Sequence, residues 1–203
     1  ALVEEDMEKL TTYLGNKGFA FLDVRPQFRQ DEAARTVDVT YDIVPGPRVY
    51  VNRINIQGND RTRDYVLRRE MRFSEGDAFS ASKLTRSKDR LTYLGFFEDV
   101  NVRHQETGIP DKVDIDVKVK VQSTGEFNIS AGFSSYDGPL ASAEVKEKNF
   151  LGKGQEMNFS MSVSGRRQDF NFGFTEPYFM NKELSAGIDI FNEERDYQDE
   201  SSY

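Results

Sequence analysis

The chain contains no cysteine and only one histidine, His104, among its 203 residues. Without cysteine it has no disulfides and no thiolate chemistry. A single histidine also leaves the common zinc and redox-metal sites short of their usual ligands. His104 lies in an alternating stretch, which predicts a solvent-facing strand residue rather than a general base. We therefore expect no enzyme activity, no catalytic residue, no cofactor and no metal.

Long apolar runs and an excess of positive charge are also lacking. No stretch approaches the roughly 18 apolar residues that a membrane helix needs, and the first residues do not show the basic-then-apolar pattern of a signal peptide. If the protein is exported, its signal is missing from this sequence. The net charge of −8 argues against a nucleic-acid partner, because phosphate binding needs lysine and arginine concentrated on one surface.

The stretch from Arg48 to Gln122 carries the clearest local pattern. Apolar residues alternate over residues 49–57, which predicts a strand with one buried face. Gly58-Asn59-Asp60 then predicts a turn. Thr62 is placed to cap a helix that runs through Met71.

A second helix is predicted to begin after Ser80 and to end at Gly95. Two further alternating runs, over residues 96–104 and 113–121, predict a pair of strands. The order of strand, helix, helix, strand and strand indicates a small α+β unit in which two helices pack on a three-stranded sheet.

The N-terminal residues repeat the second half of this unit. A helix with one apolar face, followed by strands over 19–28 and 36–44, is predicted before Pro45-Gly46-Pro47. Matching dipeptides stand 76 residues apart, namely Asp23-Val24 with Asp99-Val100 and Val37-Asp38 with Val113-Asp114. A shared offset is typical of tandem modules. We expect the chain to begin inside a preceding module, with a stiff, proline-containing joint between the two.

From residue 125 onward, apolar residues alternate with small polar residues in five runs without a helix signal. The apolar members include Phe127, Ile129, Ala131, Phe133, Ala141, Ala143, Val145, Met157, Phe159, Met161, Val163, Phe170, Phe172, Phe174, Ala186, Ile188 and Ile190. Runs of about 9–11 residues with this period are typical of transmembrane β-barrel strands, whose apolar side chains face lipid. A soluble β-sandwich has the same alternation, so the pattern alone leaves that alternative open.

The connections between these runs favour a membrane barrel. The second and fourth connections contain Phe150 and Tyr178-Phe179, as expected of aromatic residues at a membrane interface. The other connections, residues 136–139 and 165–169, are polar, and the charged residues 193–203 would begin a third outer loop. Five strands are too few to close a barrel, since about eight is the smallest number that does so, so we expect a fragment of a longer protein.

Several motifs resemble one family. In the central unit they are Gly58-Asn59-Asp60-Arg61-Thr62, Leu67-Arg68-Arg69-Glu70-Met71-Arg72, Glu75-Gly76-Asp77 and Leu94-Gly95-Phe96-Phe97, and in the C-terminal part they are Asn149-Phe150-Leu151-Gly152-Lys153-Gly154 and Thr175-Glu176-Pro177-Tyr178-Phe179. The first set resembles the signature of POTRA (polypeptide-transport-associated) domains. Together the two sets resemble the last POTRA domain and early barrel of BamA-type outer-membrane assembly factors.

The resemblance implies a fold class of α+β POTRA modules followed by antiparallel strands of a truncated transmembrane β-barrel. Residues 1–46 would be the C-terminal half of one POTRA domain. Residues 47–122 would be a complete POTRA domain, the last before the barrel, and residues 123–203 would be its first five or so strands. The barrel would lie in the bacterial outer membrane and the POTRA domains in the periplasm.

The implied function is assembly of outer-membrane β-barrel proteins, which would be received unfolded in the periplasm and inserted by strand-edge pairing. The implied partners are a BamD-like lipoprotein, other lipoproteins of the assembly complex, the unfolded clients and outer-membrane lipid. Two alternatives remain: a TamA-like or other POTRA-barrel translocator, and a soluble periplasmic interaction module.

Two sets of site residues follow from the resemblance. Taken alone, the charged cluster of Arg68, Arg69, Glu70, Arg72 and Glu75 favours a solvated face. The resemblance instead matches Arg68, Arg72 and Glu75 to the positions that contact the partner lipoprotein. The first barrel strand, with Gly125, Phe127, Ile129, Ala131 and Phe133, matches a seam or gate strand that templates incoming strands. An exposed edge of the POTRA sheet is a further candidate for binding extended clients, because main-chain pairing tolerates many sequences.

Overall fold

A computed structural model describes residues 2–32, 34–135 and 137–195, which fall into two compact units. The first unit comprises residues 1–59 and 67–120, and the second comprises residues 60–66 and 121–203. Most of the predicted charged outer loop, residues 196–203, lies outside the described residues, as does Tyr136 in a predicted polar connection. Among the described residues, no helix is long and apolar enough to cross a membrane.

The first unit begins with a helix and a strand pair, as the repeat predicts. Helix α1 spans Leu2–Gly15 and half-buries the predicted apolar face, whose members are Val3, Met7, Leu10 and Leu14. Strands β1 (Asp23–Asp31) and β2 (Thr36–Val44) pair antiparallel along their whole length. The prediction that the first strand starts at residue 19 is wrong. Residues 19–22 precede β1 because the rings of Phe19 and Phe21 pack at the joint described below.

The complete α+β module follows in the predicted order. Its elements are β3 (Tyr50–Gln57), α2 (Asp64–Arg68), α3 (Ala81–Tyr93), β4 (Phe97–Glu106) and β5 (Lys112–Val121). The sheet order is β3-β5-β4, and β3 runs parallel to β5. The fully buried side chains in the first unit include Val51, Leu67, Leu91, Val113, Ile115 and Val117. Each stabilises the module by about 1.5–3 kcal/mol relative to an exposed side chain.

Helix α2 ends at Arg68, so the prediction that it continues through Met71 is wrong. Beyond Arg68 the chain turns, because Glu70 N–H donates to the carbonyl of Leu67 at 3.0 Å and Met71 N–H donates to that of Arg68 at 3.1 Å. These i to i+3 bonds tighten the backbone. The tighter turn carries the side chains of Glu70 and Met71 into the interior.

Helix α3 begins where predicted, and Ser80 Oγ accepts a hydrogen bond from Lys83 N–H at 3.5 Å. Its buried residues are Ser87 and Leu91, whereas Lys88 is exposed. Gly95 follows the helix with φ +69°, a left-handed conformation that favours glycine.

The second unit contains the five predicted strands in an up-and-down meander. They are β6 (Gly125–Ser134), β7 (Gly138–Phe150), β8 (Gln155–Ser164), β9 (Arg167–Glu176) and β10 (Ala186–Arg195). Neighbours along the chain pair antiparallel, in the sheet order β10-β9-β8-β7-β6. A short 3₁₀ turn, Phe179–Asn181, lies in the last connection.

The register sorts the alternating residues onto two faces. One cross-strand row contains Phe127, Val145, Phe159, Phe172 and Ile190, and the next contains Asn128, Glu144, Ser160, Asn171 and Phe191. Because successive residues of a strand point to opposite faces, the first row lies on an apolar face and the second on a mainly polar one. The predicted order, an α+β module followed by five antiparallel strands, is thereby confirmed.

Candidate functional site

Arg68 and Glu75, two of the three predicted partner-contact residues, lie beside each other in the first unit. Arg68 is the last residue of α2, and Glu75 lies in the turn that leads towards α3. Arg68 Nη1 is 3.9 Å from Glu75 Oε1, and their side chains are 43% and 54% exposed. At this distance and exposure the ion pair itself adds little stability.

Both side chains also bind the main chain of Ile54 on β3. Ile54 N–H donates to Glu75 Oε1 at 3.3 Å, and Arg68 Nη2 donates to the Ile54 carbonyl at 3.1 Å. The peptide groups of Ile54 are thus satisfied by charged side chains rather than by a neighbouring strand. The sequence gives no signal for this role of Ile54, since the contacts cross 14 and 21 residues.

Arg72, the third predicted residue, is exposed and is anchored through its backbone. Its N–H donates to Ser87 Oγ at 2.9 Å, and that hydroxyl donates in turn to the Lys83 carbonyl at 2.7 Å. Since Ser87 is fully buried on α3, it fixes the position of the turn at Arg72. Ser87 is a positioning residue that the helical spacing does not single out.

Glu70 belongs to the same charged motif but faces the interior. Its carboxylate accepts from Arg90 Nε at 2.9 Å and lies 2.8 Å from Arg90 Nη2. Only 5% of the Glu70 side chain is exposed, and its buried charge is compensated by Arg90 and by Arg69, whose Nε lies 3.8 Å from Glu70 Oε1. Glu70 is therefore part of the interior rather than of a solvated face.

The edge of the POTRA sheet at β3 is covered by the module's own chain. Val51 N–H donates to the Asp77 carbonyl at 2.8 Å, and Gly76 N–H donates to the Val51 carbonyl at 2.7 Å. Phe79 N–H donates to the Val49 carbonyl at 3.0 Å. An antiparallel bridge between Tyr50 and Ala78 completes this pairing. In the described part of the chain, this main-chain pairing along the edge ends at Val51.

The predicted seam strand, β6, pairs with β7 from Gly125 to Ser134 without a register shift. Within the part of the chain that the structure describes, β6 has no neighbour on its other side. Its predicted apolar residues are largely exposed, among them Phe127, Ile129 and Phe133. Gly125 and Ala131, the other two, lie opposite Glu147 and Ala141.

A buried polar contact in the second unit was missed by the sequence analysis. Asn149 Nδ2 donates to Thr62 Oγ1 at 2.8 Å, and Asn149 Oδ1 accepts from Gly154 N–H at 2.9 Å. Nearby, Arg63 N–H donates to the Gly152 carbonyl at 2.8 Å. Thr62 and Asn149 both lie in motifs that resemble the family, and this shared membership could have pointed to the contact. The sequence analysis predicted only a helix-capping role for Thr62.

His104 lies between two aromatic rings, so the prediction of a solvent-facing residue is wrong. The centroid of its ring is 5.3 Å from that of Phe21 and 5.0 Å from that of Phe79. Burial lowers the pKa of His104, and a hydrogen bond to the backbone of Ala20 opposes this shift. His104 thereby joins the N-terminal half-module to the complete module.

Other contacts at this joint make it specific. Asn16, just past α1, accepts from Ser82 N–H at 2.8 Å and from Ser80 Oγ at 3.0 Å, so it caps α3 of the following module. A Cβ atom on Gly15 would lie 2.7 Å from Ala81 Cβ. The close packing supports the predicted restricted joint at Pro45-Gly46-Pro47.

The described residues contain no group of three or more His, Asp or Glu side chains arranged to hold a metal ion. The described residues do place two charged side chains, Arg68 and Glu75, beside the edge of β3.

Comparison with known proteins identifies the family. A family model described as POTRA, surface antigen variable number repeat, matches residues 1–46 and 49–123. A model described as the Omp85 superfamily domain matches residues 149–203.

Two relatives named "Outer membrane protein assembly factor BamA" are similar over most of the chain. The protein from Nitratidesulfovibrio vulgaris is 35% identical over 201 residues, which are 99% of this chain and 25% of the relative. The protein from Neisseria meningitidis serogroup B is 37% identical over 179 residues, which are 88% of this chain and 22% of the relative. The chain thus spans about a quarter of the length of the curated relatives that it matches.

A solved structure is also similar. It is the crystal structure of BamA from Haemophilus ducreyi lacking POTRA domains 1–3, with a TM-score of 0.84 and 34% identity, and the match covers 97% of this chain and 38% of that one. The predicted fold class, POTRA modules followed by antiparallel strands that resemble the start of a BamA barrel, is confirmed. The chain therefore belongs to the POTRA family, matches part of the Omp85 superfamily domain and is similar in sequence and structure to BamA proteins.

Proposed function

We propose that the chain is the part of a core outer-membrane assembly factor in which the last POTRA domain meets the start of the barrel. The whole protein receives unfolded outer-membrane proteins in the periplasm and inserts them into the membrane by strand-edge pairing. The names of the relatives support this function. The barrel strands lie in the outer membrane and the POTRA modules in the periplasm.

In this proposal the chain has three parts. Residues 1–46 are the second half of one POTRA domain, residues 47–122 are the last POTRA domain, and residues 123–203 are the first barrel strands. The matches of the POTRA model to residues 1–46 and 49–123 support the first two parts.

The similarity of this chain to BamA proteins, in sequence and in fold, is the observation that carries the proposal. Ten consecutive residues of β6 are regular strand, and in this proposal an opening of the barrel seam leaves one edge of β6 to pair with a client. An unpaired peptide group in lipid costs several kcal/mol. An incoming strand that pairs with such an edge removes this cost for itself and for β6, so folding free energy drives insertion without a cofactor.

Cross-linking tests the role of the seam strand. In an intact protein freed of any cysteine outside these 203 residues, a single cysteine replaces Ile129 on β6 or Met161 on β8, which lie in the same cross-strand row. The intact protein in lipid vesicles is given an unfolded barrel client that carries one cysteine in its first or last strand. We expect disulfide cross-links at Ile129→Cys and none at Met161→Cys. Equal cross-linking at both positions would contradict the seam assignment.

Arg68, Arg72 and Glu75 are proposed to contact a BamD-like lipoprotein of the assembly complex, which also contains other lipoproteins. The exposure of all three residues supports this role. Charged pairs at the rim of an interface fix orientation and association rate more than affinity. Charge reversal at Glu75 is the most direct test, because a positive side chain at this position would also repel Arg68.

Binding of the lipoprotein to the intact protein should be abolished by Glu75→Lys. The control is Glu98→Lys on β4, which reverses a similarly exposed carboxylate that pairs with Lys120. We expect the control to bind as the wild type does, in a pull-down or by calorimetry. Undiminished binding by Glu75→Lys would remove the proposed partner contact.

A further inference from the structure

We propose that Arg68 and Glu75 form an edge lock on β3, which closes a binding site for an extended segment of an unfolded client. The two side chains hold the main-chain groups of Ile54 that an added strand would use. When they are displaced, the segment hydrogen-bonds to the same groups. The choice of client rests on the proposed function, whereas the lock itself rests on contacts within the first unit.

The backbone of β3 explains why Ile54 needs such partners. Val51 pairs with Val113 of β5 and Ile54 pairs with Ile115, so three steps on β3 match two on β5. This is a bulge, and it changes which residues direct their peptide groups away from the sheet. The N–H and C=O groups of Ile54 then both meet side chains of the edge lock.

The same edge already accepts an extended segment of its own chain. Residues 76–79 supply main-chain hydrogen bonds to Val49 and Val51, in an antiparallel arrangement. This pairing stops at Gly76, and Glu75 and Arg68 continue it with a carboxylate acceptor and a guanidinium donor. The edge lock therefore occupies the place of a strand neighbour at Ile54.

The two side chains hold the peptide groups of Ile54 less firmly than a paired strand would, because they are solvated and can change rotamer. Both are about half exposed, and the bonds of 3.3 and 3.1 Å are longer than the usual about 2.9–3.0 Å. Each bond contributes a several-fold factor to any equilibrium in which it is lost. An extended segment can thus compete with the edge lock, and removal of both side chains should strengthen its binding about tenfold.

An extended polypeptide is the occupant that fits the exposed chemistry. The groups to be freed are one main-chain donor and one main-chain acceptor, while the Ile54 side chain is only 6% exposed. Recognition through the backbone alone is tolerant of sequence. Such tolerance suits clients that share alternating strands but no common sequence.

Peptide binding tests the edge lock directly. The probe is a fluorescent synthetic peptide with the sequence of residues 168–176 of this chain, used as a model barrel strand. Its affinity for the intact protein in detergent is measured by anisotropy. We expect Arg68→Ala/Glu75→Ala to bind about tenfold more tightly than the wild type. The matched control is Glu98→Ala/Lys120→Ala, which removes another exposed ion pair of the same module and should leave the affinity unchanged.

Hydrogen exchange identifies where the peptide binds. The Ile54 amide should exchange faster in Arg68→Ala/Glu75→Ala and should become protected when the peptide is added. Protection of β6 or β4 without protection of Ile54 would overturn the proposal. So would an affinity of the double variant equal to that of the wild type.

A conservative variant separates hydrogen bonding from charge. Glu75→Gln keeps an oxygen that accepts from Ile54 N–H but removes the ion pair with Arg68. It should bind the peptide with nearly the wild-type affinity, and affinity as high as in the double variant would overturn the edge lock. None of these measurements depends on insertion of a client into the membrane. The cross-linking test at Ile129 can therefore fail while the edge lock is supported, and the edge lock can fail while the cross-linking succeeds.

Discussion

Gly152 lies where a side chain has no room. Its φ is +72°, and a Cβ atom there would lie 2.4 Å from the Arg61 carbonyl oxygen. We expect Gly152→Ala to destabilise the contact between residues 60–66 and the turn after β7 by more than the about 1–2 kcal/mol that a left-handed alanine costs. Faster hydrogen exchange of residues 60–66 in the intact protein would report this loss.

Gly138→Ala is the matched control for the close approach. Gly138, the first residue of β7, has φ +75°, and a Cβ atom there would meet nothing within 4 Å. This variant should lose only the stability that a left-handed alanine costs, and the amide hydrogens of residues 60–66 should exchange as fast as in the wild type. Equal effects of the two variants on these residues would mean that the Arg61 contact adds nothing.

The burial of His104 predicts that the stability of the joint between the modules depends on pH. Burial lowers its pKa from the ordinary value of 6.5, so the folded joint favours neutral imidazole. The resulting stabilisation is present above pH 6.5 and is lost as pH falls below that value, through the lower folded-state pKa. Hydrogen exchange of residues 19–22 should therefore speed up, relative to exchange elsewhere in the module, between pH 7.5 and pH 5.5.

Replacement of the imidazole tests this dependence. His104→Phe keeps an aromatic ring between Phe21 and Phe79 and removes the titrating group. We expect the pH dependence at residues 19–22 to disappear in this variant. If it persists unchanged, another group controls the joint, and the role assigned to His104 is wrong.

Individual residues were predicted well where the period of one element decides their environment, and poorly where a distant partner does. The apolar face of α1 follows from helical spacing alone. Thr62 instead meets Asn149, 87 residues further along the chain, and Glu70 turns inward to Arg90. Sequence spacing contains no information on either pairing, which is why a cap and a solvated charge were predicted.

Helix α3 receives part of its N-terminal cap from the preceding module. Asn16 Oδ1 accepts from Ser82 N–H at 2.8 Å, whereas the helix's own Ser80 accepts from Lys83 N–H at the long distance of 3.5 Å. Loss of an N-terminal cap costs about 0.5–2 kcal/mol. We expect Asn16→Ala to lower the local stability of the first turn of α3 by this amount, measured by native-state hydrogen exchange of its amides.

Thr85→Ala provides the comparison for this helix. Thr85 is exposed, and its hydroxyl donates to the Ala81 carbonyl at 3.3 Å within α3. Such surface changes usually stay within about 0.5 kcal/mol. An effect of Asn16→Ala no greater than that of Thr85→Ala would show that α3 is capped without help from the preceding module.

Strands were easier to predict than the short helix. Alternation over ten residues specifies both a strand and its buried face, and the register of β6 to β10 keeps the apolar positions aligned. Helix α2 has only five residues, and its end is decided by the burial of Glu70 and Met71. The edge lock was outside the reach of sequence because it depends on a bulge in β3.

In the whole protein, the edge lock predicts that lipoprotein docking and client binding are coupled. A lipoprotein that engages Arg68 and Glu75 must compete for the atoms that hold Ile54. It should therefore raise the affinity of the peptide probe, by up to the about tenfold gain expected for Arg68→Ala/Glu75→Ala. Because coupling free energies are reciprocal, the peptide must raise the affinity of the lipoprotein by the same factor.

Titration of each ligand in the presence of the other measures this coupling. The peptide affinity of the intact protein is determined with and without saturating lipoprotein, and then the lipoprotein affinity with and without peptide. In a variant that lacks the edge lock but still binds lipoprotein, the two affinities should be independent of each other, because the peptide groups of Ile54 are no longer held by side chains. A lipoprotein that leaves the peptide affinity of the wild type unchanged would separate the two roles of Arg68 and Glu75, and one that lowers it would indicate that both ligands occupy the same edge.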